Sequence, residues 1–191
     1  MNTKNFNFID KIVARYRLSK VLELVEKDDV ILDFGCGTYS FLLNLSKDII
    51  KFGVGVDYDV LSDKRGNIEY RQYKFDGHLP FKDGQFNKIF MLAVLEHIAE
   101  DEVLILFKEF RRILKCNGKI VLTTPTPQSK FFLEFLAFKL KIISRDEIAD
   151  HKKYYNQLDL EYLCKSTGLK INTYRLFFGG LNSCAVLEKS N

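Results

Sequence analysis

Several common sequence features are missing from this 191-residue chain, and each absence argues against a class of protein. The four cysteines include no CxxC pair and show no zinc-site spacing with the three histidines, so we expect reduced thiols and no metal. No apolar run approaches 18 residues, which argues against a membrane-spanning helix. The polar, charged N-terminus lacks the apolar core of a signal peptide, and we therefore expect a cytoplasmic protein.

Blocks of like charge are also absent. The net charge is +4, and lysine and arginine are scattered among acidic residues, so the sequence favours a solvated surface over a nucleic-acid-binding patch. With 47% hydrophobic content, residues 1–191 form one predicted domain, which we expect to bury about 70% of its unfolded surface. A separate substrate domain does not fit in this length.

The most informative segments are VILDFGCGT at 30–38 and GVGVDYD at 53–59. Each contains an apolar run that ends at an acid, as expected of a buried parallel strand. After Asp33 the first run breaks into two glycines that flank Cys36, and glycine lets such a turn approach a ligand closely. Asp57 ends the second run, where a neighbouring strand would present a carboxylate to the hydroxyls of a ribose. The pattern predicts an adenosine-binding crevice.

The spacing favours one class of adenosine ligand over another. A dinucleotide fingerprint would have a third glycine or alanine at the position of Ser40 and no charge just before the first glycine. The Asp33 carboxylate would repel a pyrophosphate bound at the turn, at a cost of roughly 1 to 4 kcal/mol. The same carboxylate would attract the ammonium and sulfonium of S-adenosylmethionine. A nicotinamide-dependent oxidoreductase is therefore only a distant alternative.

Over nearly its whole length, the chain resembles the class I S-adenosylmethionine-dependent methyltransferases of the small-molecule type. The resemblance lies in DFGCGT, in the acid of GVGVDYD, in KFDGHLPFKDGQFNKIFMLAVLEHI and in RRILKCNGKIVLTTP. It implies an α/β, Rossmann-like fold with a doubly wound seven-stranded sheet of order 3-2-1-4-5-7-6, an antiparallel last strand and helices on both faces. It also implies methyl transfer, with S-adenosylmethionine as cofactor. A non-catalytic module that binds S-adenosylmethionine is the main alternative.

Hydrophobic periodicity predicts elements that agree with this sheet. Helical spacing fills the first 26 residues and the segment 100–115, which Asn117-Gly118 is expected to cap. Two β-rich runs joined by Gly179-Gly180 predict a terminal hairpin. Between Asp57 and the next strand there is room for little more than a turn of helix. The other strands are expected at 29–34, 52–57, 68–75, 86–92 and 118–124.

The predicted cofactor residues come partly from the crevice pattern and partly from the resemblance. We expect Asp33 near the methionine ammonium, Asp57 on the ribose, and Arg15 or Arg17 on the methionine carboxylate. The resemblance implies that Asp76 accepts a hydrogen bond from the adenine amino group. The remaining predicted cofactor-binding residues line the turn, the adenine and the sulfonium: Gly35, Cys36, Gly37, Tyr58, Phe75, Gly77, Leu92 and Ala93.

The acceptor side of the predicted site is less defined. His97 is the candidate general base, because an imidazole can take the proton that an oxygen or nitrogen nucleophile sheds; the alternative is that it caps or orients a helix. The resemblance places His151 on the substrate side, with Tyr154 and Tyr155 nearby. We expect a small-molecule or lipid-like acceptor. Nucleic acid is not expected, because the fourth strand ends in MLAVLE and not in an Asn/Asp-Pro-Pro-aromatic motif.

The segment 128–145 is rich in phenylalanine and carries four basic residues. Its apolar residues, among them Phe135, cover more than one helical face, so we interpret it as part of a lid-like insertion at 126–150 or as a dimer contact. An interfacial helix that touches lipid is the alternative. The chain is accordingly expected to be a monomer or a homodimer, with peripheral membrane contact as the alternative role of this segment.

Overall fold

The computed structural model describes residues 8–130 and 152–190 of the chain. Within these residues, helices and strands alternate as expected of an α/β protein. The helices are α1 (Phe8–Leu22), α2 (Phe41–Ser46), α3 (Glu100–Ile113) and α4 (Gln157–Thr167), with a short 3-10 turn at Leu95–His97. The strands are β1 (Val30–Phe34), β2 (Phe52–Asp57), β3 (Asp63–Arg65), β4 (Ile68–Gln72), β5 (Phe86–Leu92), β6 (Leu114–Pro125), β7 (Leu169–Phe177) and β8 (Asn182–Lys189).

The strands form a single sheet in the order β3-β4-β2-β1-β5-β6-β8-β7. Strands β4, β2, β1, β5 and β6 run parallel, and β8 runs antiparallel between β6 and β7. The expected order 3-2-1-4-5-7-6 with an antiparallel last strand is therefore confirmed. The sheet has one strand more than the seven expected. This additional strand is β3, which pairs antiparallel with β4 at the sheet edge. It occupies the interval where we expected only a turn of helix.

The sheet is covered on both faces, as the apolar strands require. Alternate residues of β5 enter different cores: Ile89 and Met91 pack with α3 and α4, while Phe90 packs with α1 and α2. This alternation is the period of two of a strand buried on both sides. The central strands are thus packed on both faces, and the predicted site residues Asp33 and Asp57 lie toward their carboxyl ends.

The predicted cap of α3 is wrong. The helix ends at Ile113, and Leu114 already has extended backbone angles and begins β6. Gly118 lies inside β6, where an added Cβ would come within 2.9 Å of the Asn87 carbonyl oxygen. The glycine is therefore explained by close strand packing and not by a helix end.

Most of the lid-like insertion at 126–150, including Phe135, lies outside the described residues. The part of the chain that the structure does describe contains no helix with the length and apolarity needed to span a membrane.

Candidate functional site

The candidate site lies where β1 and β2 end side by side. The two strands are in parallel register through Phe34 and Val56. The Gly35 and Cys36 amides both donate to the Val56 carbonyl oxygen, at 2.9 and 3.2 Å. These hydrogen bonds hold the glycine turn against the end of β2, and the turn therefore reaches Asp57.

Asp57 joins the two strand ends. Its side chain is buried, with 8% of the residue exposed. One carboxylate oxygen, Oδ2, accepts the Gly37 N–H at 2.8 Å, and Oδ1 accepts the Asp59 N–H at 3.0 Å. A carboxylate has about four lone-pair positions, so roughly two stay available to other donors. Two ribose hydroxyls would match that capacity.

The two glycines of the turn have different roles. Both have positive φ values, 75° at Gly35 and 65° at Gly37, which favour glycine. A Cβ on Gly35 would collide with the Val94 side chain, whereas no atom lies within 4 Å of the Cβ position of Gly37. Gly35 is thus required by packing, and Gly37 faces open space that a bound molecule could occupy.

Asp33 is buried next to this turn and is oriented by a helix cap. The Ser40 hydroxyl donates to Asp33 Oδ2 at 2.6 Å and accepts the Leu43 N–H at the start of α2. Burial, together with the nearby negative charge of Asp57, raises the pKa of Asp33 to about 6, although the Ser40 hydrogen bond opposes the shift. A cationic group would relieve this cost. Ser40 was not predicted as a site residue, and its N-cap position is the signal that could have found it.

Cys36 completes the turn without being reactive. Its thiol contacts the Gly37 carbonyl oxygen at 3.3 Å. Burial, and secondarily the charges of Asp33 and Asp57, raises the pKa of the Cys36 thiol well above its usual range. The thiol therefore stays neutral, and thiolate nucleophilicity is not available here.

The predicted adenine side follows β4. The Tyr73 hydroxyl shares its one proton between Asp76 Oδ1, 2.8 Å away, and the His78 carbonyl oxygen. Burial, followed by the Asp76 contact, raises the pKa of Tyr73 to about 12, and the same hydrogen bond lowers the pKa of Asp76. Phe75 packs edge-on against Phe34 with ring centroids 6.5 Å apart. Asp76 is exposed, and its carboxylate can accept a hydrogen bond from an amine.

Two other predicted residues border this side. Gly77 has a positive φ of 101° and open space at its Cβ position. Tyr58 is 58% exposed just after β2, and its carbonyl oxygen accepts the Gln72 side-chain amide. The structure therefore brings Asp57, Tyr58 and the Asp76 loop to the same end of the sheet.

On the predicted methionine side, Arg17 of α1 is the better placed of the two candidate arginines. Arg15 is exposed, whereas Arg17 is half-buried, and its Nε atom is buried with no hydrogen-bond partner among the described residues. Burial lowers the pKa of Arg17 and the Glu96 charge opposes that shift, but a guanidinium keeps its charge in proteins. An unpaired buried donor of this kind is costly, which makes it a candidate ligand contact.

The sequence did not predict a functional role for Glu96, which interacts electrostatically with Arg17, or for the threonines at the end of β6. Glu96 is 1% exposed, and its Oε2 accepts the Thr124 hydroxyl at 3.1 Å. Burial raises the pKa of Glu96, against the attraction of His97 and Arg17. The hydroxyl of Thr123 is buried and has no hydrogen-bond partner within the described ranges. The signal for these residues is weak in the sequence, because threonine in a strand is common.

The end of β5 carries an unusual backbone. Ala93 has a positive φ of 56°, and its N–H donates to the Thr123 carbonyl oxygen at 2.9 Å. A non-glycine residue in this region is uncommon and often marks a functional site. Leu92 is half-buried just before it, and His97 is half-buried in the 3-10 turn after Glu96. The predicted sulfonium and base residues thus lie on one loop.

Of the predicted substrate-side residues, the structure describes Tyr154 and Tyr155. Tyr154 is half-buried, whereas Tyr155 is 4% exposed and belongs to the hydrophobic core. Burial raises the pKa of Tyr155 to about 12. His151 and Phe135 lie outside the described residues. The structure gives Tyr155 a packing role, and a substrate role for these residues stays a prediction.

Two further features bound the chemistry. A cavity of 460 Å³ lies beside the crevice, but none of the predicted cofactor residues lines it; its walls are Thr38, Tyr39, Asp59, Val60, Leu61, Ser62, Asp63, Arg65 and Tyr70. In residues 8–130 and 152–190, no group of three His, Cys, Asp or Glu side chains is arranged to hold a metal ion. The described residues offer charged and polar side chains around an open turn.

Comparison with known proteins gives this site a context. Residues 1–174 match the model of a methyltransferase domain family. An uncharacterized protein of Methanocaldococcus jannaschii is 32% identical in an alignment of 158 residues that covers 78% of this chain and 67% of that protein.

Solved structures share the fold at lower identity. A structure of the complex between the Haloferax volcanii Trm112 methyltransferase activator and a methyltransferase has a TM-score of 0.69 and 16% identity, over 93% of this chain and 88% of that one. CalO1, a methyltransferase of calicheamicin biosynthesis solved with S-adenosylhomocysteine, has a TM-score of 0.69 and 16% identity, over 95% and 55%. An S-adenosylmethionine-dependent methyltransferase of Methanosarcina mazei has a TM-score of 0.64 and 19% identity, over 94% and 97%.

Proposed function

Since this chain belongs to the methyltransferase domain family, we propose that it transfers a methyl group from S-adenosylmethionine to a small-molecule or lipid-like acceptor. S-adenosylmethionine is the cofactor of the family. The observation that carries the proposal is the Asp57 carboxylate, which is tied to the Gly37 amide beside open space and keeps acceptor capacity for two hydroxyls.

The residues around the crevice fit the cofactor by charge and by hydrogen-bonding type. Asp57 would hold the ribose, Asp76 the adenine amino group, Asp33 the ammonium and Arg17 the carboxylate, which would supply the partner that Arg17 Nε lacks. When bound, S-adenosylmethionine supplies an electrophilic methyl group on its sulfonium. The protein then needs to align the acceptor with that methyl and to exclude water.

The acceptor's proton is the remaining chemical task. We propose His97 as the general base, since it lies on the same loop as Leu92 and Ala93. The buried Glu96 side chain precedes it in the 3-10 turn Leu95–His97. His151, Tyr154 and the lid-like insertion 126–150 are proposed to enclose the acceptor, all within the single domain 1–191.

Two measurements test the proposal. Calorimetry with S-adenosylhomocysteine should show binding, and tight binding would exclude a nicotinamide-dependent enzyme. Incubation with S-adenosylmethionine and a panel of amines, carboxylic acids, phenols and lipids should then yield S-adenosylhomocysteine with at least one acceptor. Binding without turnover across the panel would favour the non-catalytic module.

The lid and interfacial interpretations of 128–145 need a different assay. If the segment is a substrate lid, Phe135→Asp should reduce turnover and leave S-adenosylhomocysteine affinity within a factor of about three, because lid and cofactor crevice are separate sites. Flotation of the wild type with anionic vesicles, abolished by Phe135→Asp, would instead indicate a membrane-embedded acceptor.

A further inference from the structure

The loop that follows Asp76 is tied to α3 by a dense set of hydrogen bonds. The Arg112 guanidinium donates to the carbonyl oxygens of Leu79 and Phe81 at 2.9 and 2.8 Å, and to the Asp83 carboxylate at 2.8 Å. It also binds Glu109 in a bidentate manner, through Nε at 2.8 Å and Nη2 at 2.6 Å. These five contacts match the five N–H groups of an arginine.

Glu109 extends the contacts toward the adenine side. Its Oε2 accepts the Leu79 N–H at 2.7 Å and lies 3.0 Å from the His78 ring. The bond to Arg112, followed by the Leu79 amide, lowers the pKa of Glu109, and the same ion pair raises the pKa of Arg112. Both side chains are mostly covered, at 13% and 24% exposure, which favours a persistent geometry over a solvated surface pair.

His78 connects this pair to Asp76. The backbone N–H of His78 donates to Asp76 Oδ1 at 3.3 Å. The Tyr73 hydroxyl bridges Asp76 Oδ1 and the His78 carbonyl oxygen. Both bonds to Asp76 end on Oδ1. The orientation of the carboxylate, and with it the direction of Oδ2, therefore depends on where His78 is held.

We propose that Arg112 and Glu109 are positioning residues for adenine recognition, which aim Asp76 Oδ2 at the exocyclic amine without touching the cofactor. The proposal rests on the proposed function, because it takes the ligand to be an adenosine compound. It deepens that function, since it assigns base discrimination to a pair of α3 residues more than 30 positions beyond Asp76 in the chain.

The test compares two ligands in calorimetry: S-adenosylhomocysteine and S-inosylhomocysteine, which has a carbonyl oxygen in place of the amine. The wild type should prefer the adenine compound by about tenfold or more, because the carbonyl would face a carboxylate. Arg112→Gln should reduce that preference to about threefold or less. A loss of general stability would weaken both ligands alike and leave the ratio unchanged.

Arg111→Gln is the matched control, because Arg111 is the neighbouring arginine of α3 and donates to the Gly168 carbonyl oxygen, away from the Asp76 loop. This variant should keep the wild-type ratio. Glu109→Gln, which keeps an acceptor for the Leu79 N–H, should give an intermediate ratio and serves if Arg112→Gln does not fold.

The outcomes separate three failures. A wild type that binds neither ligand would overturn the proposed function. A wild type that prefers adenine, with the preference fully retained in Arg112→Gln or Glu109→Gln, would overturn the positioning role alone. Equal binding of both ligands by the wild type would overturn the role of Asp76 on which the inference depends.

Discussion

The two halves of the crevice differ in how far the protein satisfies its own polar groups. On the adenosine side, Asp57 and Asp76 each accept two hydrogen bonds, and the Arg112 donors are all used. On the methionine side, Arg17 Nε and Thr123 Oγ1 are buried without a partner in the part of the chain that the structure describes. Ala93, at the same end of the sheet, has a positive φ.

This difference suggests a division of labour. A preformed hydrogen-bond framework gives affinity and specificity at low entropic cost, which suits the invariant adenosine part of a cofactor. Unpaired and strained groups gain their partners only when a ligand arrives, which suits the reacting end. We therefore expect substitutions on the adenosine side to remove preformed contacts, and those on the methionine side to act through charge and pH.

The largest effect is expected at the turn itself. Gly37→Val should abolish S-adenosylhomocysteine binding, by more than about 100-fold, because the side chain would fill the open space and valine disfavours a positive φ. The control is Gly66→Val. Gly66 lies in the turn between β3 and β4 and has the same type of backbone as Gly37, with a φ of 60° and open space at its Cβ position. If Gly37→Val folds and binds normally, the turn is not the cofactor site.

Loss of the ribose acid should come next. Asp57→Ala should weaken S-adenosylhomocysteine binding by about 1.5 to 3 kcal/mol, roughly 10- to 150-fold, because charge-assisted bonds to the hydroxyls disappear. The Gly37 amide also loses its acceptor. Asp57→Asn keeps one acceptor oxygen and should lose less. Calorimetry on a folded Asp57→Ala protein that shows unchanged affinity would contradict the ribose assignment.

A smaller and more selective effect is expected on the methionine side. Arg17→Met should weaken S-adenosylhomocysteine by about tenfold and leave 5′-methylthioadenosine unchanged, because only the first ligand carries a carboxylate. Arg15→Met, a change of the exposed neighbour, should alter neither affinity. Equal weakening of both ligands by Arg17→Met would mean that α1 supports the crevice only by packing.

The smallest effect is a pH dependence from Asp33. Between pH 7 and pH 5 the affinity for S-adenosylhomocysteine should fall by up to about tenfold, because protonation with a pKa of about 6 removes the charge that attracts the ammonium. Asp33→Asn should flatten this profile. If the wild-type affinity were as independent of pH as that of Asp33→Asn, Asp33 would not be the partner of the ammonium.

The same shift has the opposite sign for stability. The folded-state pKa of Asp33 is raised, so its contribution to the free energy of unfolding is present below the unfolded pKa and is lost as the pH rises through about 6. The free energy of unfolding of the ligand-free protein can be measured at pH 5 and pH 7. Its loss between these two values should be smaller in Asp33→Asn than in the wild type.

The sequence was most informative where a long apolar run ends abruptly. β1, β2 and β5 were predicted within a residue because each is a buried run that stops at an acid or a turn. β3 was missed because its residues, Asp63 to Arg65, are all exposed and charged and give no hydrophobic pattern. The cap at Asn117-Gly118 failed because tertiary packing between β5 and β6 decided the role of Gly118.

The site divides in the same way. The turn and Asp57 were predictable because the family pattern is local, and the structure brings them within one hydrogen bond. The Asp33 contact with Ser40 depends on the position of α2, and the contacts of Arg112 span about 30 residues. Contacts of that length depend on how α3 packs on the sheet, which no single stretch of sequence specifies.

The charged strand β3 also has a consequence for self-association. The outermost strand of an open sheet offers unpaired backbone groups that can recruit strands from other molecules. At this edge the outermost strand is only three residues long, and Arg65 is paired with Asp63 at 2.7 Å along it. A strand from another molecule would find few backbone groups with which to form hydrogen bonds. It would also have to desolvate that ion pair. We therefore expect this edge to resist the addition of strands that leads to fibrils. In concentrated samples, aggregation should begin at another part of the surface.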